Sequence, residues 1–153
     1  MANFTFKGIK LTPEGQKYIK EINEMVDSTI EVGFHEDSGG YENGMTVASV
    51  AALNEFGASH MPARPFMKQS FESHEDELMD ICEKGTALIA NGGTAERALK
   101  QIGVFAKGLI QDVIASGDFA PNAPSTIKKK GSAQPLIDSS HMRQSVNYKI
   151  KKG

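Results

Sequence analysis

The side chains that most often carry chemistry are scattered along this chain. The four histidines are His35, His60, His74 and His141. None has another histidine or a cysteine at the spacing of metal ligands, and the pair His35-Glu36 lacks the second histidine of a zinc-protease helix. This spacing predicts ordinary surface histidines and no metal site.

Residues that could act as nucleophiles are equally isolated. Cys82 falls on an apolar helical stripe, which predicts a buried and inert thiol. Neighbouring acids such as Glu75 and Asp76 indicate the solvated face of a helix. The chain has no GxSxG elbow, no P-loop and no glycine fingerprint for dinucleotides. We therefore predict that the chain is not an enzyme and has no cofactor and no small-molecule substrate.

A corner bracketed by prolines, within residues 46–71, carries the most informative polar residues. Asn54 falls on one face of a short helix that Gly57 ends, since glycine adopts the left-handed conformation there without steric cost. Pro62 and Pro65 then restrict the backbone around Arg64. A guanidinium on so stiff a loop loses little entropy when it pairs with a carboxylate. We expect the rest of the fold to be organised around this corner.

Asn54, Glu55 and Arg64 have two interpretations. In the first, they form an internal hydrogen-bond or ion-pair clamp that fixes the corner. In the second, Arg64 or Glu55 reaches a neighbouring subunit and forms a bidentate pair at the interface. Phe56 and Phe66, on either side of the corner, join them as candidate contact residues.

A second group of candidates is the cationic run Lys128, Lys129 and Lys130, within a linker-like basic loop near residues 117–135. The run is a solvated segment, a contact for an acidic patch on another copy, or a nonspecific attraction for DNA phosphates in a channel. No helix-turn-helix or other reading element is evident, so sequence-specific DNA recognition is not predicted.

Charge is unevenly distributed along the chain. Seven cations and one acid follow residue 120, about +6, so residues 1–120 carry about −8 of the formal net charge of −2. This asymmetry supports an alternative function, a nucleic-acid-binding accessory protein that uses the basic C-terminal third. The single cysteine excludes an internal disulfide and fits a reducing compartment.

Hydrophobic periodicity predicts one α+β domain over residues 1–153: a small antiparallel sheet packed against a long helical hairpin with flanking helices. A first helix begins at Thr12. The two strands are residues 29–34 and 145–151, and the hairpin helices run from Phe66 to about Asn91 and onward from Thr94. A flexible loop is expected near residues 35–44, and Asp138 is expected to cap a last short helix. No apolar run is long enough to span a membrane.

Two blocks of sequence carry a family resemblance. The first is Val50-Ala-Ala-Leu-Asn-Glu-Phe-Gly57 followed by Pro62-Ala-Arg-Pro-Phe66. The second is Thr126-Ile-Lys-Lys-Lys-Gly131, Pro135-Leu-Ile-Asp-Ser139 and Met142-Arg-Gln-Ser-Val146. Together they resemble the minor tail components of tailed bacteriophages, in the tail-completion, neck and virion-morphogenesis families. The chain departs from the second signature at Ser140, where a glycine is expected.

The resemblance implies a structural virion protein that acts in tail completion or head–tail joining by stoichiometric binding. Its partners would be other copies of itself in a ring, and the tail tube, the tail terminator or the head–tail connector. It would be found in the virion, and in the host cytoplasm during assembly. Asp138 and Arg143, in the second block, complete the set of candidate contact residues.

Overall fold

The structure, a computed structural model, describes residues 7–131, 133, 135–136 and 140–153. Its fold is α+β, with a small two-stranded antiparallel sheet and several helices, as the sequence predicts. The helices and strands of the described residues are α1 (Pro13–Asp27), β1 (Thr29–Gly33), α2 (Val47–Phe56), α3 (Phe66–Glu72), α4 (Glu75–Ala90), α5 (Ala95–Ser116), α6 (Pro124–Lys130), α7 (His141–Ser145) and β2 (Asn147–Lys151). The two strands pair with each other. No helix among the described residues has the length and apolar character that a membrane crossing requires.

Contacts divide the chain into two compact units, and the first contains α1, α4 and most of α5. This unit comprises Met1–Glu31, Glu75–Ala106 and Tyr148–Gly153. Its core is formed by buried Ile89, Ala95 and Ala98 with Ile22, Met25 and Leu88 packed around them. A Cβ at Gly85 of α4 would lie 3.4 Å from the side chains of Ala98, Ile102 and Met25, so glycine lets these helices approach closely.

An aromatic ring of β2 packs onto α5. A Cβ at Gly103 would lie 2.3 Å from Cδ2 of Tyr148 in β2, a distance at which the ring would have to move. Gly103 therefore provides the flat surface on which Tyr148 lies.

The second unit contains the corner. It comprises Val32–His74 and Lys107–Asn147. Its buried core is made by apolar side chains of the helices α2, α3, α5 and α7 together with Leu136 and Val146; these side chains are Val47, Ala51, Phe66, Ile110, Val113, Ile114 and Met142. The prediction of one folding domain over residues 1–153 stays a prediction.

Local signals placed most element ends correctly. Thr12 caps α1 by accepting the N–H of Gly15, and Thr94 caps α5 by accepting the N–H of Arg97 at 3.2 Å. Helix α2 ends before Gly57. Both strands lie within their predicted ranges.

The prediction of one long first helix in the hairpin is wrong. The structure interrupts it at Ser73 and His74, where the N–H of His74 lies 3.4 Å from the carbonyl oxygen of Phe71, three residues earlier. A new helix then begins with three acids, Glu75–Glu77. Carboxylates stabilise a helix N-terminus, so this acidic run was the missed signal.

Both segments expected to be irregular contain regular structure. Residues 35–44 include a short 3-10 helix, Glu36–Ser38, and a bridge between Gly40 and Thr46. Residues 117–135 include α6, a helix of seven residues that contains the three lysines.

Candidate functional site

Arg64 is buried at the corner, with 5% of its surface exposed. Its Nε donates to the carbonyl oxygen of Ala120 at 2.8 Å, and its Nη2 donates to the carbonyl oxygen of Pro121 and to Oδ1 of Asn122, both at 3.2 Å. Its Nη1 donates to Oδ1 of Asn54 at 3.3 Å. The guanidinium therefore joins the corner to the segment that follows α5.

These four acceptors are neutral oxygens, so the clamp is made of hydrogen bonds rather than an ion pair. Burial lowers the pKa of Arg64. Arginine nevertheless remains charged at physiological pH, because its ordinary pKa is so high. Bonds from a charged donor are stronger than neutral ones, which suits a cation held in a buried site. Of the two interpretations, the structure shows the internal clamp.

Asn54 links the corner to α2 through its main chain and its side chain. Its carbonyl oxygen accepts the N–H of Arg64 at 2.6 Å, and its Nδ2 donates to the carbonyl oxygen of Val50 at 2.9 Å. Its Oδ1 is already bound to the guanidinium. One short amide side chain thus fixes both the path of the backbone and the position of the cation.

Glu55 is also used within the protein. Its carboxylate accepts the N–H groups of Met67 at 2.8 Å and Lys68 at 3.1 Å, at the start of α3. Pro65 occupies the N-cap position of that helix and makes no side-chain cap bond. A carboxylate satisfies the unpaired N–H groups there and interacts favourably with the helix dipole. Glu55 therefore supplies the cap that Pro65 cannot.

Gly57 turns the chain from α2 into the corner. Its φ of 76° is positive, as predicted, but its ψ of 179° is extended rather than left-handed helical. This region is accessible almost only to glycine. A Cβ there would lie 2.8 Å from the nitrogen of Ala63 and 2.9 Å from the carbonyl oxygen of Met61. Backbone closes this space, so a side chain cannot be accommodated by a rotamer change.

The two phenylalanines at the corner lie in opposite environments. Phe66 is fully buried, and its ring packs edge-on against Phe34 with centroids 6.0 Å apart. Its side chain therefore belongs to the core. Phe56 is 81% exposed, the largest exposed fraction among the big apolar side chains described. Of the candidate contact residues in the first block, Phe56 is the one whose side chain is largely exposed.

The second block presents charge at the surface. Lys128 and Lys129 of α6 are exposed, and Lys130 ends the same helix. Arg143 of α7 donates from Nε to the carbonyl oxygen of Gln111 at 3.1 Å, and its Nη2 lies 3.9 Å from a carboxylate oxygen of Asp112. Asp138 lies outside the described residues. The N-cap position of α7 is occupied by Ser140.

Ser140, where the resemblance implies a glycine, has a backbone conformation that favours glycine. Its φ of 60° and ψ of 5° are left-handed, and it is the one non-glycine residue with positive φ in the described part of the chain. The glycine that the resemblance implies would adopt this conformation without the steric cost that serine bears.

The C-terminal cations lie against acids of their own unit. Lys151 Nζ is 2.7 Å from a carboxylate oxygen of Glu31, and Lys152 Nζ is 2.5 Å from one of Glu24. The hydrogen bond and the charge of Glu24 raise the pKa of Lys152. The predicted separation of charge along the sequence is therefore partly cancelled in space.

Histidines and Cys82 remain separate in the structure. No three metal-binding side chains come together among the residues that are described. His35 Nε2 lies 3.3 Å from the carbonyl oxygen of Asn147, and His74 Nδ1 lies 2.9 Å from that of Ser70. Cys82 is exposed, so the prediction of a buried thiol is wrong. Cys82 belongs to the stripe of apolar residues along α4, but only part of that stripe is buried. The buried face of the helix is centred on Gly85 and Ile89.

Sequence reasoning missed Asn122, which is 7% exposed and accepts from Arg64. Its segment contains many turn residues and lysines, a composition typical of linkers, and no local pattern points to a partner 58 residues away.

Nothing matches this chain in comparisons with models of known protein families, with curated proteins or with solved structures. The resemblance to phage tail components therefore stays a prediction that is based on the two sequence blocks.

Proposed function

We propose that this protein is a structural component of a tailed-phage virion and acts in tail completion or head–tail joining by stoichiometric binding. The observation that carries the proposal is Phe56, a large aromatic side chain that is 81% exposed at a rigid corner. Exposed aromatic side chains are the anchors that protein interfaces most often bury.

The corner around Phe56 is preorganised. The preceding residue, Glu55, is bound to two N–H groups of α3, and the following residue, Gly57, is held between Met61 and Ala63. Binding therefore orders little backbone, and the apolar contact of Phe56 is not offset by a large loss of entropy. In the proposed role this side chain inserts into another copy in a ring, the tail tube, the tail terminator or the head–tail connector.

The surface charges favour protein contacts over nucleic-acid binding. Lys151, Lys152 and Arg143 each have an acid within 4 Å. Exposed pairs are weak, so phosphates can replace these acids, but each replacement breaks a pair and so gains less than binding to an unpaired cation. The exposed pair Lys128 and Lys129 remains the candidate for a nonspecific contact with DNA in a channel.

Complementation of a phage or prophage from which this gene has been deleted tests the proposal. We expect the wild-type chain to restore infectious particles and to be incorporated in them, and Phe56→Asp to reduce both at least about tenfold, a loss of about 1.4 kcal/mol of binding. Tyr18→Asp is the matched control, because Tyr18 is an exposed aromatic residue of the other unit. Complete, infectious particles without this polypeptide would contradict the proposal.

Salt dependence distinguishes the nucleic-acid alternative. Nonspecific DNA binding weakens steeply with salt. The logarithm of the binding constant falls linearly with the logarithm of the salt concentration, with a slope of about −0.9 per phosphate neutralised. We expect the wild-type chain to bind DNA weakly and the double substitution Lys128→Ala with Lys129→Ala to abolish that binding. We also expect the chain to be incorporated into particles at salt concentrations at which it no longer binds DNA. Tight DNA binding with a slope of about −6 would favour the alternative.

A further inference from the structure

Helices α4 and α5 enclose an open groove that is separate from the corner. Its volume is about 780 Å³, and its apolar surface is made by Ile81, Val104 and Phe105. Val104 is 59% exposed, and Ile81 and Phe105 are half-buried. An apolar groove with an exposed aliphatic side chain is a common docking surface for an amphipathic helix.

The edge of this groove is mainly cationic. Among the described residues that line it, Lys84, Arg97 and Lys100 are cations and Glu96 is the one acid. Lys84 is paired with Asp80 and Lys100 with Glu96, each at 2.6 Å, and both lysines are more than half exposed. Exposed pairs of this kind contribute only about 0–1 kcal/mol, so they exchange partners at little cost.

The first half of α4 has the complementary chemistry. Residues 75–80 read Glu-Asp-Glu-Leu-Met-Asp, four acids without a cation. Met79, in the middle of this segment, is 60% exposed. This helical segment therefore combines an exposed apolar side chain with negative charge. The groove combines exposed apolar surface with positive charge.

We propose that the groove of one copy binds the acidic first half of α4 from a second copy. Met79 would lie against Val104, and the acids would lie beside Arg97 and Lys84. Each copy offers both surfaces, so either a closed pair or a head-to-tail series satisfies all of them. This self-contact does not depend on the proposed virion role, because it concerns purified protein alone.

Molar mass in solution tests the contact, by light scattering and sedimentation equilibrium over a range of protein and salt concentrations. We expect the wild-type chain to self-associate at low salt and Val104→Glu to raise the dissociation constant at least about tenfold. Val26→Glu is the matched control, because Val26 is a 48% exposed valine on α1 of the same unit. The control should associate like the wild type.

Charge exchange identifies the occupant. Arg97→Glu and Asp76→Arg should each weaken association, since Asp76 lies three residues before Met79 on the same helix face. An equimolar mixture of the two variants should recover association in a closed pair, because both contacts between unlike copies then join opposite charges. Circular dichroism confirms that each variant is folded. A wild-type chain that stays monomeric at low salt, equal effects of Val104→Glu and Val26→Glu, or association lost with Phe56→Asp but not with Val104→Glu would each overturn the proposal.

Discussion

The two sequence blocks behind the family resemblance use their polar residues differently. In the first block, residues 50–66, Arg64 is 5% exposed and bound to four oxygens, and Glu55 caps the neighbouring helix. In the second block, residues 126–146, Lys128 and Lys129 are exposed, and the Arg143 side chain keeps 40% of its surface accessible. The polar side chains of the first block mainly build the fold, whereas the charged side chains of the second lie at the surface. Substitutions of these polar residues should therefore affect stability in the first block and surface contacts in the second.

The largest expected effect is that of Arg64→Ala, which we expect to lower the free energy of unfolding by about 4 kcal/mol. The reason is that the buried Oδ1 of Asn122 and the partly buried oxygens of Asn54, Ala120 and Pro121 lose their donor. Urea denaturation measures this loss. Arg64→Lys should recover only part of it, because an ammonium group lacks the planar arrangement of five donors.

Arg143→Ala is the matched control in the second block. Arg143 also donates from Nε to a main-chain carbonyl, that of Gln111, but water reaches its site. We expect a cost of about 1 kcal/mol. Equal losses for the two arginines would contradict the distinction between the blocks.

Gly57→Ala should lower the free energy of unfolding by about 3 kcal/mol, because both the positive φ and the nearby backbone oppose a Cβ. Gly92→Ala separates these two causes. Gly92 has a φ of 87°, but a Cβ added there would meet no atom within 4 Å, so only the conformational cost, about 1 kcal/mol, remains. Thermal unfolding of both variants provides the measurement, and a smaller loss at Gly57 than at Gly92 would refute the steric argument.

Ser140→Gly should stabilise the protein by about 0.5–1 kcal/mol, since glycine relieves the left-handed strain but adds entropy to the unfolded chain. Ser145→Gly should have the opposite sign and cost about 1 kcal/mol, because Ser145 lies in α7. Chemical denaturation of the pair tests the assignment, which would fail if both substitutions destabilised the protein.

Sequence reasoning succeeded where the signal was local. Thr12 precedes a proline and an acid, and Gly57 precedes two prolines, so the helix ends could be placed from neighbouring residues alone. The sequence left two roles open for Arg64, an internal clamp and a contact with a neighbouring subunit, because its stiff loop is compatible with both. Three of its four acceptors lie 56 to 58 residues away in a segment with the composition of a linker, and only the folded chain brings them together.

Burial was harder to predict than secondary structure. Cys82 and Phe56 both fall on or beside apolar helical stripes, yet both are exposed. A helix buries only the face that a neighbour covers, so the width of a stripe does not define its buried part.

The smallest expected effect belongs to the double substitution Lys128→Ala with Lys129→Ala. Both side chains are exposed on α6, so the free energy of unfolding should stay within about 0.5 kcal/mol of the wild-type value. Alanine favours a helix at least as well as lysine, which removes helix propensity as a cause of any loss. A loss above about 1 kcal/mol would show that these lysines support the fold, as Arg64 does, and would remove the contrast between the blocks. An unchanged stability makes the same variant suitable for measuring contacts with DNA or a partner, because any change in binding then reports on the surface rather than on folding.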